Sequence, residues 1–117
     1  MLVLDTTALE ALFHSHPPLW ALLDLADQGQ TRLGFPVLAV VEAGSALGAS
    51  AAHWEPFQWI ETIDFLPLEE AVAVEISAWQ GTFGARHALW EARHMACPLV
   101  TRRPDLYAPG QAEIHVV

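Results

Sequence analysis

The sequence predicts an α/β fold with a mainly parallel sheet of about five strands. Short apolar runs, typical of buried strands, alternate along the chain with longer segments whose apolar residues follow helical spacing. This alternation favours right-handed crossovers between parallel strands. The 117 residues are enough for one hydrophobic core, and a hydrophobic content of 53% argues against disorder. We therefore expect a single domain over residues 1–117.

The first strand and helix are predicted from the opening residues. Met1–Leu4 is an apolar run that leads into Asp5, so Asp5 lies at the carboxyl end of a buried strand. A helix over Ala8–His14 follows, with Thr6 or Thr7 as its N-cap, because a threonine hydroxyl accepts from a free amide of the first turn. Two prolines then end this helix.

The next three elements are bounded by glycine and proline. Leu19–Ala26 has apolar residues at helical spacing and ends near Gly29, which suits a left-handed cap. Thr31–Phe35 is a short predicted strand. Pro36 suits the first position of a helix that continues to Ala46.

The second half of the chain repeats the alternation. Trp54–Trp59 is predicted as a turn or short helix, and the alternating pattern of Ile60–Phe65 as a strand. Two acids in its first turn favour a helix over Pro67–Trp79, and a last helix spans Arg86–Ala96. The remaining predicted strands are Cys97–Thr101 and Ile114–Val117.

Charge and cysteine content exclude several kinds of site. The formal charge is −9, and the chain has no lysine and five arginines. A broad electrostatic surface for nucleic acid is not supported, whereas an acidic surface suits an arginine- or lysine-bearing protein partner. P-loop and Schiff-base sites need a lysine, and Cys97 alone forms no internal disulfide. No apolar run is long enough for a membrane helix, so we expect a soluble cytoplasmic protein.

Two carboxylates are the candidate functional residues. Asp5 lies at a strand's carboxyl end, where sites form in open α/β sheets. Glu42 lies in the most apolar predicted helix, where an ionised carboxylate is costly unless it is paired or holds a metal. Together they suit a divalent cation, which takes oxygen ligands and assists phosphoryl displacement. The alternative is structural. In that case Asp5 only caps the first helix, and Glu42 lies on the one solvent-exposed stripe of its own helix.

Three segments in this order resemble landmarks of the PIN domain family, and VapC-type toxins in particular. They are Leu2–Leu9, Pro36–Glu42 and Cys97–Thr101. The resemblance implies a three-layer α/β/α PIN-like domain, usually dimeric, that acts as a magnesium- or manganese-dependent ribonuclease on RNA. It also implies an antitoxin protein partner, with Asp5 and Glu42 as catalytic residues and metal ligands. Thr6, Thr7 and Thr101 would support that site.

The sequence departs from the family pattern at two further acidic positions. The third acid falls at Ala85 by spacing or at His87 by local pattern, and the fourth falls at Arg103. Asp105 is close to the fourth position but shifted by two residues. One hypothesis is that Arg103 points at Asp5 or Glu42 and replaces the cation.

The other hypothesis is that His87, Glu91 or Asp105 completes a remodelled metal site. These departures leave two functions open. One is a VapC-like, metal-dependent endoribonuclease paired with an antitoxin. The other is a catalytically impaired PIN domain that binds protein or RNA.

Overall fold

A sheet of five parallel strands forms the centre of the molecule. The computed structural model describes residues 1–117. Its strands are β1 (Leu2–Leu4), β2 (Leu33–Pro36), β3 (Ile63–Leu66), β4 (Leu99–Thr101) and β5 (Ile114–Val116), in the spatial order β3-β2-β1-β4-β5. Every neighbouring pair is parallel. The predicted parallel sheet of about five strands is therefore confirmed.

Six α-helices connect these strands. They are α1 (Thr6–Phe13), α2 (Pro17–Asp27), α3 (Val37–Leu47), α4 (Ala51–Gln58), α5 (Glu70–Ile76) and α6 (Phe83–His94). A short 3₁₀ helix, Pro104–Leu106, lies between β4 and β5. None of the helices combines the length and apolar character needed to cross a membrane.

Among the helix starts that differ from the sequence prediction are those of α1 and α6. The N-cap of α1 is Asp5, whose carboxylate accepts from the Ala8 amide, so the prediction that Thr6 or Thr7 caps this helix was wrong. Helix α6 begins at Phe83 rather than at Arg86. Its N-cap is Thr82, whose hydroxyl accepts from the Ala85 amide.

The hydrophobic core lies on both faces of the sheet. Val3 and Leu4 are consecutive in β1 and therefore point to opposite faces. Leu4 belongs to a cluster of 16 buried residues under α1, α2, α3 and α4, and Val3 belongs to a cluster of 7 that includes residues of α6. Helices thus cover both faces, which confirms the three-layer α/β/α architecture.

The strand order places a crevice beside β1. The chain adds β2 and β3 on one side of β1, then β4 and β5 on the other. The carboxyl ends of β1 and β4 therefore meet where the winding direction reverses, which is where ligands bind in open α/β sheets. Asp5 follows β1, and Thr101 ends β4.

Candidate functional site

Asp5 is a buried carboxylate at the carboxyl end of β1, with only 1% of its surface exposed. Its Oδ1 accepts hydrogen bonds from the Ala8 amide at 3.0 Å and the Thr7 hydroxyl at 2.7 Å. Its Oδ2 accepts from the Tyr107 hydroxyl at 2.7 Å. Both carboxylate oxygens are therefore held by neutral donors of the same chain.

A chain of hydroxyl groups links Asp5 to β4. Thr7 Oγ1 donates to Asp5, so the 3.1 Å hydrogen bond between the Thr7 and Thr101 hydroxyls must be donated by Thr101. Thr7 Oγ1 also accepts from the Arg102 amide, and Thr101 Oγ1 accepts from the Arg103 amide, both at 2.9 Å. This network fixes the start of α1 against the end of β4.

Glu42 is a half-buried carboxylate in the second turn of α3. Its Oε1 accepts from the Thr6 hydroxyl and from the Gly84 amide, both at 2.9 Å. Gly84 lies in the first turn of α6, where amides lack helical partners and the helix dipole favours negative charge. Glu42 therefore caps α6 from the neighbouring helix α3.

Asp5 and Glu42 converge on the first turn of α1. Thr6 donates to Glu42 while the next residue, Thr7, donates to Asp5. The negative charges of both carboxylates also act on the pKa of Tyr107. Burial first, and then the Asp5 and Glu42 charges, raise the pKa of Tyr107 well above its usual range, so its hydroxyl stays protonated and remains a donor.

Asp5, Glu42 and the residues that donate to them form what we call the acidic pocket. Glu10 is an acidic neighbour of this pocket that the sequence analysis did not include. Burial raises the pKa of Glu10; the nearby His14 lowers it, and the Asp5 and Glu42 charges raise it further. Glu10 lies one helical turn after Thr6, on the same face of α1. The four-residue spacing from Thr6 was the sequence signal that could have indicated Glu10, because the resemblance places Thr6 at the site and Thr6 contacts Glu42.

The fold matches solved structures even though the sequence matches no protein-family model and no curated protein. A chain from VapBC2 of Rickettsia felis, bound to a DNA fragment from their promoter, matches with a TM-score of 0.69 and 10% identity, covering 99% of this chain and 98% of that chain. A chain from FitAB bound to an IR36 DNA fragment matches with a TM-score of 0.64 and 17% identity, covering 98% and 94%. This is a PIN-like fold. At these identities, the likeness establishes the fold.

The third acidic position that the resemblance implies falls at Ala85 or His87, and neither is a carboxylate. Ala85 is buried in the smaller core cluster, and the Gly84 backbone lies against Glu42. A Cβ atom on Gly84 would clash with Thr6 Oγ1 and Glu42 Oε1, and would lie 2.9 Å from Ala39 Cα. The Gly84 backbone therefore packs closely against Thr6, Ala39 and Glu42.

Arg103 does not neutralise either carboxylate. Its guanidinium donates to both oxygens of Asp105, from Nε at 2.9 Å and from Nη2 at 2.7 Å. Both side chains are largely exposed, at 57% and 62%. The hypothesis that Arg103 points at Asp5 or Glu42 was therefore wrong, and Asp105 is engaged by Arg103 in the same exposed pair.

His87 of α6 is buried, and its contacts lie with α3 and with Glu91. Its Nδ1 accepts from the Leu38 amide at 3.4 Å, and its Nε2 lies 3.2 Å from Glu91 Oε1. These partners fit a neutral ring with its proton on Nε2. Burial lowers the pKa of His87 to about 4, opposed by the Pro67 carbonyl, and burial raises the pKa of Glu91. His87 thus caps the start of α3.

The arrangement does not fit a magnesium or manganese ion. No group of three or more Asp, Glu, His or Cys side chains lies close enough together to hold a metal. Three of the four carboxylate oxygens, Asp5 Oδ1, Asp5 Oδ2 and Glu42 Oε1, already accept hydrogen bonds from the chain itself. Magnesium needs well-placed oxygen ligands in near-octahedral geometry. The roles of Asp5 and Glu42 as catalytic residues or metal ligands stay predictions.

Proposed function

We propose that this chain is the PIN-fold member of a toxin–antitoxin-type pair and acts by binding a protein partner. The observation that carries the proposal is the hydrogen bonding of the acidic pocket. Tyr107 donates to Asp5, and the Gly84 amide donates to Glu42, so both Asp5 oxygens and Glu42 Oε1 are hydrogen-bonded within the chain. The third acidic position implied by the resemblance falls at Ala85 or His87, and the fourth at Arg103. This arrangement favours the catalytically impaired module over the ribonuclease.

The expected partner is a small, basic, DNA-binding antitoxin in the cytoplasm. VapBC2 and FitAB, whose chains share this fold, are complexes that bind DNA fragments. The chain's formal charge of −9 suits a partner rich in arginine or lysine. We also propose a homodimer, as the family resemblance implies.

A magnesium- or manganese-dependent endoribonuclease is the second candidate. The convergence of Asp5 and Glu42 beside Glu10, at the carboxyl edge of a parallel sheet, favours it. That activity would require Tyr107 and the start of α6 to move away from the carboxylates. The two candidates therefore differ in whether the pocket opens.

RNA cleavage distinguishes these candidates. Single-stranded RNA is incubated with the chain and with Asp5→Asn, in Mg²⁺ and separately in Mn²⁺. We expect no cleavage above the Asp5→Asn background, because the pocket lacks a metal-ligand set. Cleavage by the natural chain that Asp5→Asn abolishes would establish the ribonuclease instead.

Co-expression tests the partner. The chain is produced together with the protein encoded in the adjacent reading frame, and the product is analysed by size-exclusion chromatography with light scattering. We expect a salt-sensitive complex that binds DNA through the partner, since the interface is expected to join opposite charges. Elution of this chain alone, separate from a folded neighbour, would contradict the proposal.

A further inference from the structure

A wide groove lies beside the acidic pocket, along the outer side of α6. It is a groove of about 950 Å³ bounded by α6, by the segment that joins α5 to α6 and by the segment after β4. Trp79, Arg86, Trp90, Arg93, His94 and Tyr107 contribute to its walls. A volume of this size falls in the range of small-molecule sites.

The groove has a local positive charge on an acidic molecule. Arg32 pairs with Glu61 and Asp64, and Arg103 pairs with Asp105, whereas Arg86 and Arg93 form no ion pair. Arg86 and Arg93 are seven residues apart, so they lie on one face of α6, about 10 Å apart along its axis. Two of the chain's five arginines therefore face this groove without a carboxylate partner.

The one carboxylate of the groove is already engaged. Glu75 Oε2 accepts from Trp90 Nε1 at 2.8 Å. Arg86 Nε donates to the Gly81 carbonyl at 2.8 Å, which orients its guanidinium. Arg93 makes no hydrogen bond through its side chain and is exposed. The groove thus offers guanidinium donors that suit an anion with several oxygens.

Flat aromatic rings line the same groove. The Trp90 and His94 rings are stacked, with centroids 4.6 Å apart and planes 16° from parallel. The Arg93 guanidinium lies over the Trp79 ring, 5.9 Å from its centroid. Aromatic faces next to arginines are the combination that holds nucleobases and their phosphates in single-strand binding proteins.

We propose that this groove binds a nucleotide, with its phosphate on Arg93 and Arg86 and its base stacked against the tryptophans. An acidic peptide would satisfy the arginines but would leave the flat rings without a matching planar partner. The formal charge of −9 disfavours contacts along a long polyanion, so we expect the groove to contact a single nucleotide unit. The nucleotide is either free or the terminal unit of an RNA strand. This inference goes beyond the proposed function and does not depend on it, because Asp5 and Glu42 take no part.

Calorimetric titration with AMP tests the site. The probes are AMP, adenosine, inorganic phosphate and a single-stranded RNA hexamer with a 5′-phosphate. We expect AMP to bind more tightly than adenosine or phosphate alone, since it offers both the base and the anion. Stronger binding of the hexamer than of AMP, with the same dependence on Arg93, would assign the ligand to a strand end. Stronger binding of AMP would assign it to a free nucleotide.

Matched variants locate the binding. Arg93→Gln is compared with Arg102→Gln, which removes one charge from an exposed arginine outside the groove. Trp79→Leu is compared with Trp59→Leu, because Trp59 is 78% exposed and lies elsewhere. We expect about a tenfold loss of AMP affinity for each groove variant and none for its control. Circular dichroism checks that each variant is folded.

Three results would overturn the proposal. The first is no AMP or hexamer binding by the folded natural chain. The second is an equal loss of AMP affinity in Arg93→Gln and Arg102→Gln, which would indicate a diffuse charge effect. The third is binding of a glutamate-rich peptide, but not AMP, with the same dependence on Arg93, which would make the groove a peptide site.

Discussion

At the scale of single residues, Tyr107 supplies the hydrogen-bond donor for Asp5 Oδ2. The two residues are 102 positions apart in the sequence and 2.7 Å apart in the structure. The hydroxyl of Tyr107 fills the role that a cation would have at Asp5 Oδ2. Burial of Asp5 makes this donor important, since a buried carboxylate oxygen without a partner is costly.

Tyr107→Phe should therefore destabilise the fold. The substitution keeps the ring but removes the donor, and a hydrogen bond to a charged group contributes about 1.5–3 kcal/mol. Urea unfolding gives the change in the free energy of unfolding. Ser77→Ala, which removes an exposed hydroxyl, serves as the control and should change it by less than about 0.5 kcal/mol. Equal effects of the two variants would contradict the role given to Tyr107.

His87 makes stability depend on pH. Its pKa is about 4 in the folded protein and about 6.5 in the unfolded chain, so the unfolded state takes up the proton first. The free energy of unfolding should thus fall as the pH drops from 7 to 4, by up to about 3 kcal/mol from this residue. Glu91, whose pKa is raised, acts in the opposite direction over part of this range.

The variant His87→Asn separates these two effects. Asparagine can still accept from the Leu38 amide but does not titrate. Urea unfolding at several pH values should give a shallower loss of stability for His87→Asn than for the natural chain between pH 7 and 4. Parallel curves would mean that His87 does not cause the pH dependence.

Residue patterns indicated Asp5 and Glu42, and the resemblance added Thr6 and Thr7, but nothing in the sequence indicated Tyr107 or Gly84 as donors. An acid after an apolar strand and an acid in an apolar helix are both visible in the sequence. Tyr107 carries no such signal, because its contact with Asp5 depends on the path of the chain after β4. Arg103 was misplaced for a local reason. Asp105, two residues away, accepts both of its guanidinium hydrogen bonds, which spacing from Thr101 could not reveal.

At the scale of secondary structure, the start of α6 closes the pocket. Thr82 caps this helix, and the Gly84 amide is directed at Glu42. The sequence prediction started the helix at Arg86, because the two glycines before it were interpreted as a break. Gly84 instead lets the first turn of α6 approach α1 and α3 closely, which only a residue without a Cβ allows.

Gly84→Ala tests this close approach. Alanine normally stabilises a helix by about 1 kcal/mol over glycine. Here its Cβ would meet Ala39 Cα at 2.9 Å, together with Thr6 and Glu42, so we expect a net loss of about 1–3 kcal/mol in thermal or urea unfolding.

Gly44→Ala provides the comparison for Gly84→Ala. It also lies within a helix, but its nearest neighbour is a side-chain atom, Trp54 Nε1, at 3.2 Å. We expect it to cost less than Gly84→Ala. A stabilising effect of Gly84→Ala would contradict the close packing of α6 against the pocket.

At the scale of the whole molecule, most of the architecture was predictable. Apolar runs such as Ile60–Phe65 located all five strands. Their alternation with helical patterns indicated a parallel sheet. The pairing of β1 with both β2 and β4 is not encoded in local patterns, and neither is the nearness of Glu10 to the pocket. These features depend on long-range packing.

The central claim concerns the whole pocket: Asp5 and Glu42 accept hydrogen bonds from α1, from α6 and from Tyr107, and they do not form a divalent-cation site. Electron paramagnetic resonance of Mn²⁺ titrated into the chain and into Asp5→Asn tests this most directly. We predict that the natural chain binds Mn²⁺ no more tightly than Asp5→Asn, with only weak, salt-sensitive binding from the acidic surface. Saturable binding of one Mn²⁺ per chain, lost in Asp5→Asn, would contradict the account.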